Sequence, residues 1–195
     1  MKKVLFIGGP GNISGHTVKK LLNNGYDVTL FTHADSRDDV HVLERCHVII
    51  GDRMDFESLK QAIIQIQPDA IVDVCAFHPA HLCPVLDTID EVCNQYVFIS
   101  TCDVYGYPLK ALPQHEDDPW NAPNCSYAAN KALCEQLITS RLKHCAYTII
   151  RPAYSMGPHF MLTAVSRSGG FSLIPRLRRG LPIISPDDGN HLIHA

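Results

Sequence analysis

No stretch of this chain approaches the roughly 20 consecutive apolar residues that a membrane-spanning helix needs. Basic charge is not in excess: 17 Lys and Arg stand against 20 Asp and Glu, a formal net charge of −3, and the pI is about 6.4. That balance offers nucleic acid no bulk basic surface. The 8 cysteines include no C-x-x-C pair. Several fall inside predicted strands or helices, where a reduced thiol is a small hydrophobe, so no disulfide framework is expected. His78-Pro79-Ala80-His81-Leu82-Cys83 holds potential metal ligands, but structural zinc usually takes four and no second cluster completes the set. No metal is expected. Repeats and low-complexity tracts are absent. The start, Met1-Lys2-Lys3-Val4, has a basic character, yet glycines follow its short apolar run where a cleavage site would stand. A cytoplasmic protein is predicted.

What is present begins with Val4 to Ile7, a buried-strand run that enters the loop Gly8-Gly9-Pro10-Gly11-Asn12-Ile13-Ser14-Gly15. An amphipathic helix follows, with Ile13, Val18, Leu21 and Leu22 on one side. Strand, glycine turn and helix make a phosphate cradle. Gly8 lets the chain turn sharply, Gly11 lets bare backbone approach a pyrophosphate, and the positive helix end faces the anion. The fingerprint is imperfect, because Ser14 stands where a third small residue belongs and Gly15 comes one later. Gly8, Gly9, Pro10, Gly11, Asn12 and Ile13 are the first candidate cofactor contacts.

The rest of the chain alternates. Gly25 caps the first helix, Tyr26–Thr32 is a second strand and Cys46–Ile50 a third, closed by Gly51-Asp52-Arg53. A helix over 55–66, a strand over 69–76, a helix over 79–93, a strand over 96–100, a helix over 126–143 and a strand over 146–150 follow. The pattern predicts an α/β fold: a Rossmann-like doubly wound parallel sheet with helices on both faces. Residues 1–151 form this dinucleotide-binding domain. Beyond Arg151 the composition shifts to prolines and Gly169-Gly170, with a short helix near 172–179 and an unfinished strand at 190–195. Residues 152–195 read as an incomplete C-terminal substrate lobe. An acidic side chain at the tip of the second strand would hold an adenosine ribose. Thr32 and His33 stand there instead, with Asp35 and Arg37 just beyond, which tilts the choice of NAD or NADP toward NADP.

Tyr127 and Lys131 lie four residues apart on one helix face. A tyrosine with a pKa near 10 is a poor base, but a nearby cation favours its phenolate, so the pair can shuttle a proton. The spacing alone is also ordinary helix decoration. Ser100-Thr101 ends the fifth strand, where open α/β sheets bind ligands, and can present a hydroxyl to a substrate oxygen.

In this order the residues resemble the extended and atypical short-chain dehydrogenase/reductases of the NAD-dependent epimerase/dehydratase type. The matching pieces are Gly8 to Ile13, Gly51-Asp52-Arg53, Phe98-Ile99-Ser100-Thr101 leading into Val104-Tyr105-Gly106, Tyr127 with Lys131, Arg151-Pro152 and Gly157-Pro158. The resemblance implies that Thr101, Tyr127 and Lys131 are catalytic. Tyr127 would be the general acid/base, and Lys131 would also hold the nicotinamide ribose. It implies that Asp52 and Arg53 lie by the adenine, that Cys75, Ala76, Phe77 and Ser100 line the cofactor, and that Pro152 sits near the nicotinamide. Without it, Asp52 is a solvated turn carboxylate and Cys75 a core thiol. Tyr154 replaces a frequent asparagine and is a candidate substrate contact. Arg176, with Arg178 and Arg179, can neutralise a diphosphate or simply complement its own helix dipole. The implied activity is NAD(P)-dependent oxidoreduction or epimerisation of a small molecule, first of all a nucleotide sugar. Family members usually continue for another hundred or so residues, so the chain reads as shortened. A cofactor-binding sensor or interaction module without turnover is the alternative. RNA binding occurs among atypical relatives, but the acidic balance argues against it. A homodimer through the helices at 79–93 and 126–143 is a family expectation.

Overall fold

Alternating side chains on the central strands decide the architecture. The computed structural model describes residues 1–33, 40–106, 112–121, 125–153, 155 and 175–182. On strand β1 (Lys3–Ile7), Val4 and Phe6 pack into one buried cluster and Leu5 and Ile7 into another. The same alternation places Val28 and Leu30 of β2 (Asp27–Thr32) opposite Phe31. A strand apolar on both faces must be covered on both. Val18 of α1 (Gly15–Asn23) helps close the first face, to which α2 (Val40–Leu43) also contributes through Val42. The second face is closed by α3 (Phe56–Ile66), α4 (Pro79–Leu82), α5 (Leu86–Val92) and α6 (Ser126–Arg141).

All strand pairings are parallel. With β3 (His47–Ile50), β4 (Ala70–Asp73), β5 (Gln95–Ile99) and β6 (Ala146–Ile150), the sheet order is β3-β2-β1-β4-β5-β6. This is the doubly wound sheet expected from the alternation of elements. The order reverses beside β1, so the C-terminal ends of β1 and β4 open the crevice where such folds bind ligands.

Several boundaries differ from the sequence reading, each for a local reason. The helix expected over 79–93 is two helices, α4 and α5, separated by Cys83-Pro84-Val85. Pro84 has no N–H to continue the ladder. The strand expected over 69–76 stops at Asp73, whose side chain accepts the amides of Cys75 (3.1 Å) and Ala76 (3.0 Å). Those amides are thereby taken out of the strand. The loop after Thr101 contains a 3-10 turn, Cys102–Tyr105, capped by Thr101. Asp55 caps α3 through the Ser58 amide. Between α6 and β6, Oδ1 of Asp90 accepts the amides of Lys143, His144 and Cys145 at 2.8–2.9 Å, tying that loop to α5.

The chain divides into two compact units, Met1–Pro152 and Ala153–Ala195. In the second, residues 175–178 form a single helical turn, and Arg176 donates to the Pro182 carbonyl from Nε (3.1 Å) and Nη2 (2.6 Å). The rest of the helix expected from residue 172, the strand expected at 190–195, and Asp35, Arg37 and Gly157-Pro158 lie outside the described residues or partly so.

Candidate active site

The glycine loop is built by close approach. Gly8 has φ +87°, and a Cβ there would meet Cys75 Sγ and Val74 Cγ2 at 2.9 Å. Only glycine fits both the conformation and the space. Gly9 shares that φ, and a Cβ on it would strike the Ser14 hydroxyl. Ser14 is more than a tolerated small residue: it is buried, and its Oγ accepts the Gly11 amide at 3.1 Å, closing the loop on itself. Asn12 Oδ1 is buried without a partner among the described residues. An orphaned acceptor in a glycine cradle at a helix N-terminus fits a bound dinucleotide, whose hydroxyls can donate to it.

At the tip of β2, Thr32 Oγ1 donates to the His33 carbonyl at 3.2 Å. Asp52, exposed, accepts the Met54 amide at 2.8 Å and lies 3.8 Å from His33 Nε2. The β3 end therefore brings a carboxylate to a strand tip that carries none of its own. Arg53 does not stand beside it. Its side chain turns inward and is buried, with Nη1 donating to both Asp73 oxygens (2.9 and 3.1 Å) and Nη2 to the His81 carbonyl (2.8 Å). The adenine contact expected of Arg53 is corrected by this: the guanidinium is committed to a buried carboxylate. Burial opposes its charge most strongly, but Asp73, Cys75 and Tyr96 together outweigh it and raise its pKa.

After β4, Cys75 Sγ donates to the Ile7 carbonyl at 3.3 Å, and burial, with Asp73 beside it, pushes the thiol up to about 11. It is an inert packing group. Ala76 is buried and Phe77 exposed. The imidazoles of the faint metal motif serve local geometry: His78 Nδ1 accepts the Ala80 amide and His81 Nδ1 the Phe77 amide. Among the described residues no cluster of three metal-ligating side chains exists.

Lys131 is the centre of the arrangement. Its Nζ is buried and donates to the carbonyls of Ala76 (2.8 Å), in the turn after β4, and Ile99 (2.6 Å), at the end of β5. It lies 4.9 Å from the Phe77 ring, 4.7 Å from Phe98 and 6.0 Å from Tyr127. Phe77 and Tyr127 are themselves 6.3 Å apart. Burial lowers the Lys131 pKa to about 8, with Asp73 acting in the opposite sense. Tyr127 sits in the first turn of α6, half-buried. Thr101 is buried, and its Oγ1 accepts the Asp103 amide at 3.2 Å. A hydroxyl used this way keeps its proton to donate.

Ser100 next to it is engaged elsewhere: its hydroxyl donates to the fully buried Glu135. Glu135 pairs with Arg151 at 2.7 Å, and Arg151 Nη1 donates to the Tyr105 hydroxyl (2.6 Å) and the Glu116 carbonyl (2.8 Å). The Pro152 carbonyl accepts the Cys102 amide at 3.1 Å, holding the end of β6 to the 3-10 turn. Tyr154 lies outside the described residues, and Arg176 belongs to the second unit.

Asp73 and Glu135 were not singled out from sequence as site residues, although each left a signal. Asp73 is the charge in an otherwise apolar strand, which burial obliges to find a partner. Glu135 follows Lys131 by four residues, on the face that already carries Tyr127.

A doubly wound parallel sheet with a glycine loop at its switch point, and a Tyr–Lys pair on the helix that follows β5, defines an α/β protein of Rossmann-like fold. The chain matches the NAD dependent epimerase/dehydratase family over residues 4–193 and belongs to it. It is 32% identical over 152 residues to a UDP-glucose 4-epimerase of Lacticaseibacillus casei, covering 69% of this chain and 45% of that one. It is 28% identical over 201 residues to the chloroplast stem-loop binding protein of 41 kDa b of Arabidopsis thaliana, covering 96% of this chain and 50% of that one. The Bordetella bronchiseptica enzyme WbmH in complex with NAD+ shares the fold, with a TM-score of 0.75, 24% identity, and coverage of 93% of this chain and 63% of that one. The chain spans about half the length of the curated relatives it matches. Among the described residues no helix is long and apolar enough to cross a membrane.

The tilt toward NADP finds no support in the comparisons; the WbmH structure holds NAD+. The missing carboxylate on β2 removes a repulsion but supplies no cation for a 2′-phosphate, and Asp52 brings negative charge near that tip.

Proposed function

We propose that this chain binds NAD and catalyses epimerisation or a related oxidoreduction at a hydroxyl-bearing carbon of a nucleotide sugar. The observation that carries the reading is the Lys131 ammonium, lodged between the turn after β4 and the end of β5 and 6.0 Å from the Tyr127 ring. A cation so placed favours the phenolate, the form that can accept a proton. NAD, when bound, supplies the hydride acceptor. Tyr127 then takes the proton of the sugar hydroxyl as the carbon loses hydride, and Thr101 holds the substrate oxygen. In an epimerase Tyr127 would also return the proton to that oxygen when the hydroxyl is re-formed with the opposite configuration. Gly8, Gly9, Pro10, Gly11, Asn12 and Ile13 hold the diphosphate, Thr32 and Asp52 the adenosine side, and Ala76, Phe77 and Pro152 the nicotinamide side. Tyr154 and Arg176 are the candidate substrate contacts. A homodimer through α4, α5 and α6 and a cytoplasmic setting accord with this reading.

The test is calorimetric titration of the chain with NAD and with NADP, followed by an assay of UDP-glucose and UDP-galactose interconversion. Micromolar NAD binding is expected, with Tyr127→Phe keeping that binding and losing at least about 100-fold in turnover, the scale of lost acid–base catalysis. Turnover indifferent to Tyr127 overturns the assignment of that residue. Binding with no turnover in the wild type favours the sensor module. A second reading comes from the likeness that covers 96% of the chain, to a stem-loop binding protein. Retention of a stem-loop RNA in a gel shift, lost as salt rises, would favour it.

A further inference from the structure

Asp73 is wholly enclosed and uses both oxygens fully. Oδ1 accepts Arg53 Nη1, the Cys75 amide and the Ala76 amide, and Oδ2 accepts Arg53 Nη1 again and the Tyr96 hydroxyl, all at 2.9–3.1 Å. The residue whose amide it holds, Ala76, is the one whose carbonyl receives Lys131 Nζ. Arg53 reaches past Asp73 to the His81 carbonyl, and His81 in turn accepts the Phe77 amide. One ion pair thus fixes the backbone of 75–77 from below, and Lys131 hangs from that backbone.

We propose that the buried Arg53–Asp73 pair is a positioning unit for Lys131, setting where its ammonium stands and how strongly its charge is favoured. Its extension to Tyr127 rests on the function proposed above; the link to Lys131 does not. The pair has a structural cost that plain packing would avoid, since two charges are withdrawn from water and Arg53 Nε is left buried without an acceptor among the described residues. The groups that face Lys131 are Asp73 on β4, Cys75 after it, Arg53 after β3, and Tyr127 and Cys134 on its own helix, with Phe98 of β5 and Phe77 against the ammonium. Asp73 and Arg53 act on it in opposite senses. Asp73 has the larger effect and Arg53 offsets part of it, so the pair leaves Lys131 a net stabilisation of its charge against burial.

The test reads Lys131 directly, with lysine labelled by 13C at Cε and the resonance identified through Lys131→Arg. In the full chain its titration midpoint is expected near 8. Asp73→Asn leaves the Arg53 charge uncompensated and lowers the midpoint by about one pH unit, the lower end of the effect of a close charge. Arg53→Gln raises it, and Arg53→Lys returns it toward the wild-type value. A pair that only braced the fold would loosen in each variant and admit water. Every midpoint, that of Asp73→Asn included, would then climb toward that of free lysine. Such a common rise, or midpoints that do not move, overturns the proposal. Should Asp73→Asn fail to fold, equal midpoints for Arg53→Gln and Arg53→Lys overturn it, and a higher one for Gln supports it. Turnover is scored separately. Tyr127-dependent turnover beside an unresponsive Lys131 defeats this inference and spares the function, and the opposite pair of results does the reverse.

Discussion

Two buried carboxylate–arginine pairs flank Lys131, and they are used differently. Asp73 and Arg53 meet at 2.9 Å under the end of β4, and Glu135 and Arg151 at 2.7 Å between α6 and the end of β6. Asp73 gives its remaining capacity to two backbone amides of its own turn and to the Tyr96 hydroxyl on β5. Glu135 gives its own to the Ser100 hydroxyl on another strand, while Arg151 spreads over the Tyr105 ring at 5.1 Å and the Trp120 ring at 5.9 Å and reaches the Glu116 carbonyl. The first pair shapes one point of the backbone. Both tie together segments distant in sequence, but among the described residues the second holds no backbone amide that carries a Lys131 acceptor. A buried ion pair is seldom a net source of stability, but removing one partner is costly in either arrangement. The difference should therefore appear in what else moves.

The largest effect is expected from Glu135→Ala. It strands Arg151 and frees Ser100, and urea unfolding should register a loss of about 3 kcal/mol. Lys131 gives an effect of similar size that depends on pH. Its folded pKa, about 8, lies below the usual 10.5, so between those values the unfolded chain binds more protons than the folded one. Stability must rise with pH across that window. Relative to Lys131→Met, the wild type should gain up to about 3 kcal/mol from pH 8 to 10.5, and a flat difference would contradict the burial of the charge. Ser100→Ala removes a hydrogen bond to a carboxylate and should cost about 2 kcal/mol in the same unfolding experiment. Tyr105→Phe removes one acceptor from Arg151, which retains Glu135 and the Glu116 carbonyl, so about 1 kcal/mol is expected. The smallest effect sharpens the contrast most: Glu135→Gln should move the Lys131 titration far less than Arg53→Gln does. Equal movement would mean that the two pairs are not distinct in role.

Much of the fold was legible because period-two and period-3.6 patterns are local. β6 was read with its observed ends, and α3 to within a residue. Elements were misjudged where a single side chain or a missing N–H overrode the pattern, as Asp73 did at the end of β4 and Pro84 between α4 and α5. The site was legible as a set of motifs. Gly8, Thr101, Tyr127 and Lys131 stood out by type and spacing, whereas the commitment of Arg53 to Asp73 did not. Nothing in a turn reading Gly51-Asp52-Arg53 says which way the arginine points.

The sequence by itself determined the alternation of strands and helices, the need to cover both faces of the sheet, the glycine cradle and the placing of Tyr127 and Lys131 on one helix face. These follow from chain-local rules of sterics and burial. Only the tertiary structure decided which strands lie side by side, and so which carbonyls receive Lys131 and which arginine neutralises each buried carboxylate. Those partners come from separate strands and helices, and a charge excluded from water is satisfied by whatever the packing of the sheet brings within reach.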